Sequence, residues 1–251
     1  MYLKFRKNYF SQNGEDGIIE KIIEQLDLNQ KIFVCEFGAG NGISLSNTFN
    51  LVTKHNAVSL MIENNRKLYE ELLKTSDQNE NIIPVNRSVE ATGNNSLNNI
   101  LKENNFPRDF DLLSIDIDSN DLEVWENLDN YEPKIVIIEI NSYIAPHISH
   151  RHNLESGLRG NSFKSTLEVS QKKGYCLIAH TGNLIFLRND LIKKIEFKED
   201  LIKNPEKLFI YKWIYRKKFN NFLIKIMKFF IPKFIRKRIN SRLKSKILED
   251  F

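Results

Sequence analysis

At 251 residues with 41% apolar content, the chain is long enough to bury a substantial core, and it lacks the run of about eighteen apolar residues that a membrane-spanning helix needs. The start Met1-Tyr2-Leu3-Lys4-Phe5-Arg6-Lys7 has no apolar core behind its charges, so an export signal is not expected and a cytoplasmic location is. The net charge of +5 divides into an acidic body, residues 1–211 with 24 basic and 30 acidic groups, and a basic tail, residues 212–251 with 13 Lys and Arg against Glu249 and Asp250, which argues against a nucleic-acid enzyme with a positive stripe around its cleft.

The first strong element is an apolar strand over 32–37, Ile-Phe-Val-Cys-Glu-Phe, which runs into Gly38, Gly40 and Gly42. Glycines there let the backbone turn tightly and approach a ligand, and a helix from about Ser44 is expected to aim its free N–H groups at the same place. The dinucleotide fingerprint needs a small residue where Ile43 stands, so the spacing points to another ligand. A second strand over 58–63 ends in Glu63, whose carboxylate is placed to accept both hydroxyls of a ribose. Capping of a turn by Glu36 and a helix-start position for Glu63 are the structural alternatives.

Further strands are expected at 82–85, 112–117, 135–140, 175–179 and 184–187, with helical spacing at Leu68, Leu72 and Leu73 and again at Leu122, Val124, Trp125 and Leu128. Seven strands with helices between them imply an α/β doubly wound sheet. Only His180-Thr181-Gly182-Asn183 separates the last two strands, too short for a parallel crossover, so they form an antiparallel hairpin at one edge. Cys35 and Cys176 sit inside strands and read as small buried thiols of a reducing compartment.

The strand-glycine-acid pattern resembles motif I of the class I S-adenosylmethionine-dependent methyltransferases, whose sheet is seven-stranded, mostly parallel and ends in such a hairpin. Phe10-Ser11-Gln12-Asn13-Gly14-Glu15-Asp16-Gly17-Ile18-Ile19 and Ser114-Ile115-Asp116-Ile117-Asp118-Ser119-Asn120-Asp121 are similar to two motifs of the FkbM-like methyltransferases, a resemblance covering about residues 8–190. Ile140 departs from it, standing where relatives carry an aromatic. The resemblance implies S-adenosylmethionine as cofactor, held by Glu36, Gly38, Gly40, Glu63 and Asp116, with the segment of Gln12, Glu15 and Asp16 closing over it. It also implies a sugar or sugar-nucleotide acceptor in surface polysaccharide biosynthesis. A methyltransferase acting on an amine, or a non-catalytic nucleoside-binding module, remains open from the residues alone.

An open sheet binds its ligands outside the carboxyl ends of its strands. Asp116, Asp118, Glu139 and Asn141 fall there, and residues two apart on a strand share a face, so four oxygen donors are expected to converge. Such a set suits Mg2+ or Mn2+; equally, one carboxylate caps the helix near Asn120 while others meet the cofactor's amino group. Asp118 is the acidic candidate for the chemical step. His147, His150 and His152 follow the fifth strand and are candidates for the base that deprotonates an alcohol, for a metal site, or for passive loop residues. Arg151 and Arg159 in the same loop suit a substrate phosphate. His55 and His180 are expected to lie away from the site.

The tail carries Phe222, Leu223, Ile226, Met227 and Phe230 at helical spacing, is interrupted by Pro232, and continues with Phe234, Ile235, Ile239, Leu243 and Ile247 among Lys and Arg. Amphipathic helices of this kind lie on an anionic membrane surface, here the inner face of the cytoplasmic membrane, or pack on protein.

Overall fold

The computed structural model describes residues 1–28, 31–117, 119–153 and 158–215. Contacts divide the chain into Met1–Phe209 and Ile210–Phe251. Of the second unit, Ile210–Tyr215 are described, and 212–215 are helical; the amphipathic segments expected from Phe222 to Ile247 lie outside the described residues.

In the first unit, α1 (Glu15–Leu26) precedes β1 (Phe33–Phe37), and the chain continues through α2 (Phe49–His55), β2 (Val58–Ile62), α3 (Arg66–Asp77), β3 (Ile82–Val85), α4 (Leu97–Glu103) and β4 (Leu112–Ile115). It then forms α5 (Asp121–Glu126), β5 (Ile135–Glu139), α6 (Phe163–Lys172), β6 (Tyr175–His180), β7 (Asn183–Arg188) and the short α7 (Glu199–Lys203). The seven strands lie in the order β3-β2-β1-β4-β5-β7-β6. The first five are parallel, and β7 runs antiparallel to both β5 and β6. This is the seven-stranded, mostly parallel sheet with an antiparallel hairpin at one edge that the sequence implies.

Helices cover both faces, so the central strands are buried nearly throughout rather than on alternate residues. On one face Ile18, Ile19 and Ile22 of α1 pack with Val34 of β1, Leu112 of β4 and Ile185 of β7. On the other, Trp125 of α5 lies against Phe186 of β7 and Tyr175 of β6, with ring centroids 5.2 and 5.5 Å apart. The helix ends follow their caps: Asn65 accepts from Lys67 N and Leu68 N, Ser96 from Asn99 N, and Ser162 from Ser165 N.

Three sequence expectations shift. The helix after the glycines begins at Phe49 and not at Ser44, β4 ends at Ile115, and β5 ends at Glu139. The hairpin closes in two residues, Thr181 and Gly182. The first two shifts have polar causes at the carboxyl edge of the sheet.

Candidate functional site

The carboxyl edge gathers the loop after β1, the end of β2, the turn after β4, the loop after β5 and the N-terminus of α1. At Gly38 the backbone has φ +79, and an added Cβ would stand 1.7 Å from the carbonyl oxygen of Asp116. This glycine is required by close packing of two loops. Gly40, with φ +57, faces open space: an added Cβ would meet nothing within 4 Å. Its N–H donates to Glu63 Oε2 at 2.8 Å, and Asn65 N donates to Glu63 Oε1 at 2.7 Å. A carboxylate has about four acceptor positions, so Glu63 retains capacity for a ligand beside the open face of Gly40.

Glu36 is turned inward. It is 4% exposed, and it accepts from Ser46 Oγ at 2.5 Å, Thr48 Oγ1 at 2.7 Å and Asn47 N at 2.8 Å. Burial pushes its carboxyl above the usual range, against the lowering effect of those hydrogen bonds. The carboxylate gathers residues 46–48 into a turn, leaves Leu45 at φ +63, and delays α2 to Phe49. Ile43 N and Ser44 N donate to Asn41 Oδ1 at 3.0 and 2.8 Å, so the expected helix N-terminus does not face the glycine turn. Glu36 shapes the loop from behind.

After β4 the chain turns rather than extends, because Asp121 Oδ1 accepts from Ile117 N and Oδ2 from Ser119 N, both at 2.8 Å. Asp116 is exposed beside Gly38, but it is no longer on a strand, so the expected pairing of its face with Asp118 does not hold. Asp118 lies outside the described residues. Asn141 is also beyond its strand. It donates from Nδ2 to Arg159 O at 2.7 Å and accepts at Oδ1 from Tyr143 N at 3.2 Å, tying two loops together. Glu139 is half-buried at the end of β5. Among the described residues no three His, Cys, Asp or Glu side chains come together to hold a metal ion, so the Mg2+ or Mn2+ set expected from Asp116, Asp118, Glu139 and Asn141 is not supported. Asp121, which sequence reasoning missed as a site-shaping residue, has the signal of an acid at the first position of a helix.

The histidines divide. His147 is exposed. His150 Nε2 lies 3.1 Å from Leu158 O, which only accepts; the ring therefore carries its proton on Nε2 and leaves Nδ1 as an acceptor. His152 Nδ1 accepts from Gly160 N at 3.1 Å, which puts the proton on Nε2 and removes this ring as a neutral base. Arg151 forms a bidentate pair with Glu126 at 2.6 and 3.0 Å and lies 3.9 Å from Glu123. Its hydrogen bonds hold the Glu126 carboxyl below the usual range. Arg151 therefore latches the histidine loop to α5 and is not poised for a phosphate as expected. Arg159 is exposed in the same loop.

At the N-terminus of α1, Asp16 Oδ2 accepts from Tyr9 N, Phe10 N and Ser11 N, each at 2.8 Å. Its Oδ1 is buried without a hydrogen-bond partner among the described residues, an acceptor awaiting a donor. Glu15 Oε1 accepts from Thr181 Oγ1 at 2.5 Å, and its Oε2 from Asn13 N at 2.7 Å. Gln12 is half-buried, with its carbonyl accepting from Asn8 Nδ2 at 3.0 Å.

The Glu15 contact corrects the expectation for His180. Because β7 runs antiparallel, Glu139 pairs with Asn183, and the β6–β7 turn stands at the carboxyl edge. His180 there is fully buried, 2.8 Å from Ser142 Oγ and stacked on Phe209 at 4.8 Å. Burial, aided by the charge of Arg6, lowers its pKa to about 3. Ser142 donates to Gly182 O at 2.8 Å and accepts from the ring, the reverse of nucleophile activation. His55 is exposed at the end of α2.

No family model matches the chain, and no curated protein matches it. Among solved structures it is similar to the Methanococcus jannaschii fibrillarin pre-rRNA processing protein, at 18% identity over 69% of this chain and 71% of that one, with a TM-score of 0.43. It is similar to M. capricolum TrmK in complex with S-adenosylhomocysteine, at 15% identity over 89% and 93% of the two chains, TM-score 0.42. A third is the N-terminal domain of EvdMO1 with S-adenosylhomocysteine bound, at 10% identity over 70% and 80%, TM-score 0.42. At these identities the likeness is one of fold.

Proposed function

We propose that the chain is an S-adenosylmethionine-dependent methyltransferase, and more narrowly an O-methyltransferase acting on a hydroxyl of a nucleotide-linked or phosphorylated sugar in surface polysaccharide assembly. The observation that carries the reading is the junction of Gly40 and Glu63: an open glycine surface after β1, hydrogen-bonded to an acidic residue at the end of β2, within a sheet of order β3-β2-β1-β4-β5-β7-β6. The sugar class is supported by the resemblance of residues 10–19 and 114–121 to the FkbM-like motifs.

In this reading Glu63 and Gly40 hold the nucleoside end of the cofactor, and Asp116 with the unpartnered oxygen of Asp16 takes its amino-acid end. The bound cofactor supplies a methyl group activated on a sulfonium. The protein's own task is to align the acceptor oxygen, exclude water and take the hydroxyl proton. His150 Nδ1 is the ring nitrogen left with a lone pair for that transfer. Asp118 is a second candidate to orient the hydroxyl. Among the described residues no helix is long and apolar enough to cross a membrane. The tail of 13 Lys and Arg interleaved with apolar residues would then hold the enzyme at an anionic lipid surface.

Titration of the full chain with S-adenosylhomocysteine and, separately, with NAD tests the central claim. The first binds and the second does not; Glu63→Ala weakens binding by roughly 1.5 to 3 kcal/mol with an unchanged circular dichroism spectrum. Equal affinity in wild type and variant removes Glu63 from the cofactor site. Transfer of labelled methyl to a panel of nucleotide-sugars then tests the acceptor class.

A further inference from the structure

The opposite rim of the sheet carries a second cleft. It has a volume of about 470 Å3 and is formed by one side of α4, from Asn98 to Lys102, and by the segments that lead into β4 and β5. Those segments are joined where Glu132 N donates to Arg108 O at 2.9 Å. The size falls within the roughly 300–1,000 Å3 range of small-molecule sites.

The lining has an unusual charge for this body. It holds Lys102 and Arg108 and no carboxylate, although residues 1–211 carry 30 acidic groups against 24 basic ones. Four cations elsewhere in the body are paired, Arg87 with Glu103, Lys134 with Asp111, Arg151 with Glu126 and Arg188 with Asp109. Among the described residues neither Lys102 nor Arg108 has an ion-pair partner. Arg108 and Tyr131 line the same cleft, and the charge of Arg108 acts to lower the pKa of Tyr131 against the raising effect of burial.

The remaining polar lining is amide. Asn98 and Asn99 are fixed by their own bonds, Asn98 Nδ2 to Asn127 O at 2.8 Å and Asn99 Nδ2 to Gly93 O at 2.9 Å. Asn105 and Asn130 are exposed, and their side-chain amides make no hydrogen bond among the described residues. Local structure accounts for part of this. Lys102 complements the dipole at the end of α4, and Asn105, at φ +51, takes the left-handed position after the helix, with Phe106 N returning to Leu101 O at 2.9 Å. Neither reason applies to Arg108 or Asn130.

We propose that this cleft binds a small polyhydroxylated anion, a phosphorylated or carboxylated monosaccharide, on the rim opposite the cofactor site. Each amide offers both a donor and an acceptor, which matches a hydroxyl that is itself both, and the two cations match the phosphate or carboxylate. The site stands independently of the methyl-transfer reading, because it uses none of the residues at the carboxyl edge.

The test is calorimetric titration of the full chain with glucose 1-phosphate and with glucuronate, with glucose and inorganic phosphate as controls. Both anionic sugars bind saturably, the controls bind at least tenfold more weakly, and saturating S-adenosylhomocysteine leaves the affinities unchanged. The double variant Lys102→Gln/Arg108→Gln loses at least tenfold in affinity, and Asn130→Asp, which adds a like charge, also weakens binding; thermal melts confirm that both variants are folded. Chemical-shift changes fall on the backbone amides of Asn99, Asn105 and Asn130. The proposal is overturned by an absence of saturable binding, by wild-type affinity in the double variant, by competition with S-adenosylhomocysteine, or by inorganic phosphate binding as tightly as glucose 1-phosphate.

Discussion

The loops after β1 and after β5 share one edge of the sheet but are built differently. The first is fixed by buried carboxylates: Glu36 from behind and Glu63 from the side, each accepting two or more donors. The second is fixed by backbone and side-chain bonds among Asn141, His150, His152 and residues 158–165, and by one partly exposed ion pair at Arg151. Rigidity is concentrated in the first. A buried acid with its donors satisfied over-determines the loop after β1, while the loop after β5 rests on single hydrogen bonds to Asn161 and Ser162 and on one ion pair that water screens.

The most damaging single change should be Gly38→Ala. A Cβ placed 1.7 Å from the Asp116 carbonyl forces the β1 and β4 loops apart, and the residue at φ +79 adds backbone strain. A loss of about 4 kcal/mol or more is expected in denaturant melts. A near-native melt would mean that the first loop is not rigid.

Acid should act on the second region through His180. Its folded pKa of about 3 lies below the ordinary histidine value of 6.5, so between these limits the unfolded chain binds more protons. Stability is fully present above about 6.5 and is lost as pH falls toward 3, at about 1.4 kcal/mol per pH unit at most, or roughly 5 kcal/mol in all. Comparing melts of wild type and His180→Gln across that window isolates the contribution; the same slope in both would acquit the imidazole.

Removing the anchor of the first loop is next in size. Glu36→Ala leaves Ser46, Thr48 and Asn47 N without their acceptor and should cost roughly 2–4 kcal/mol, whereas Glu36→Gln retains an acceptor and should cost about 1 kcal/mol. Since burial already favours the neutral acid, the charge itself matters less than the acceptors. Equal losses in the two variants would contradict that assignment.

The smallest effect should come from Arg151→Gln. The pair with Glu126 has the arginine side chain 43% exposed, so its loss should change stability by no more than about 1 kcal/mol. Faster amide hydrogen exchange at Ser162 and Asn161 relative to the glycine loop would show the histidine loop loosening. Unchanged exchange would show that backbone bonds hold it without the latch.

The sequence was most legible where structure is local. Strand positions, the glycine turn and the tight antiparallel ending follow from alternation, apolar runs and turn residues that each depend on near neighbours. The Ser46-Asn47-Thr48 cap before the apolar run of Phe49, Leu51 and Val52 was also readable, yet the glycine pattern drew the helix start forward to Ser44. The histidine cluster looked catalytic because three rings fall within six positions, but which ring nitrogen is left with a lone pair depends on Leu158 O and Gly160 N arriving from the far side of the loop.

Residue order by itself therefore determined the α/β sheet, its antiparallel ending, the placement of Glu63 at the tip of β2, and the division into acidic body and basic tail. Tertiary structure alone decided where each carboxylate turns and what it meets. Glu36 was directed inward to Ser46 and Thr48, Asp121 ended β4 by collecting two backbone N–H groups, Arg151 was claimed by Glu126, and His180 was carried to the carboxyl edge by the reversal of β7. The reason is physical: a backbone conformation is biased by residues a few positions away, whereas the partner of a polar side chain is set by segments that folding brings together from across the chain.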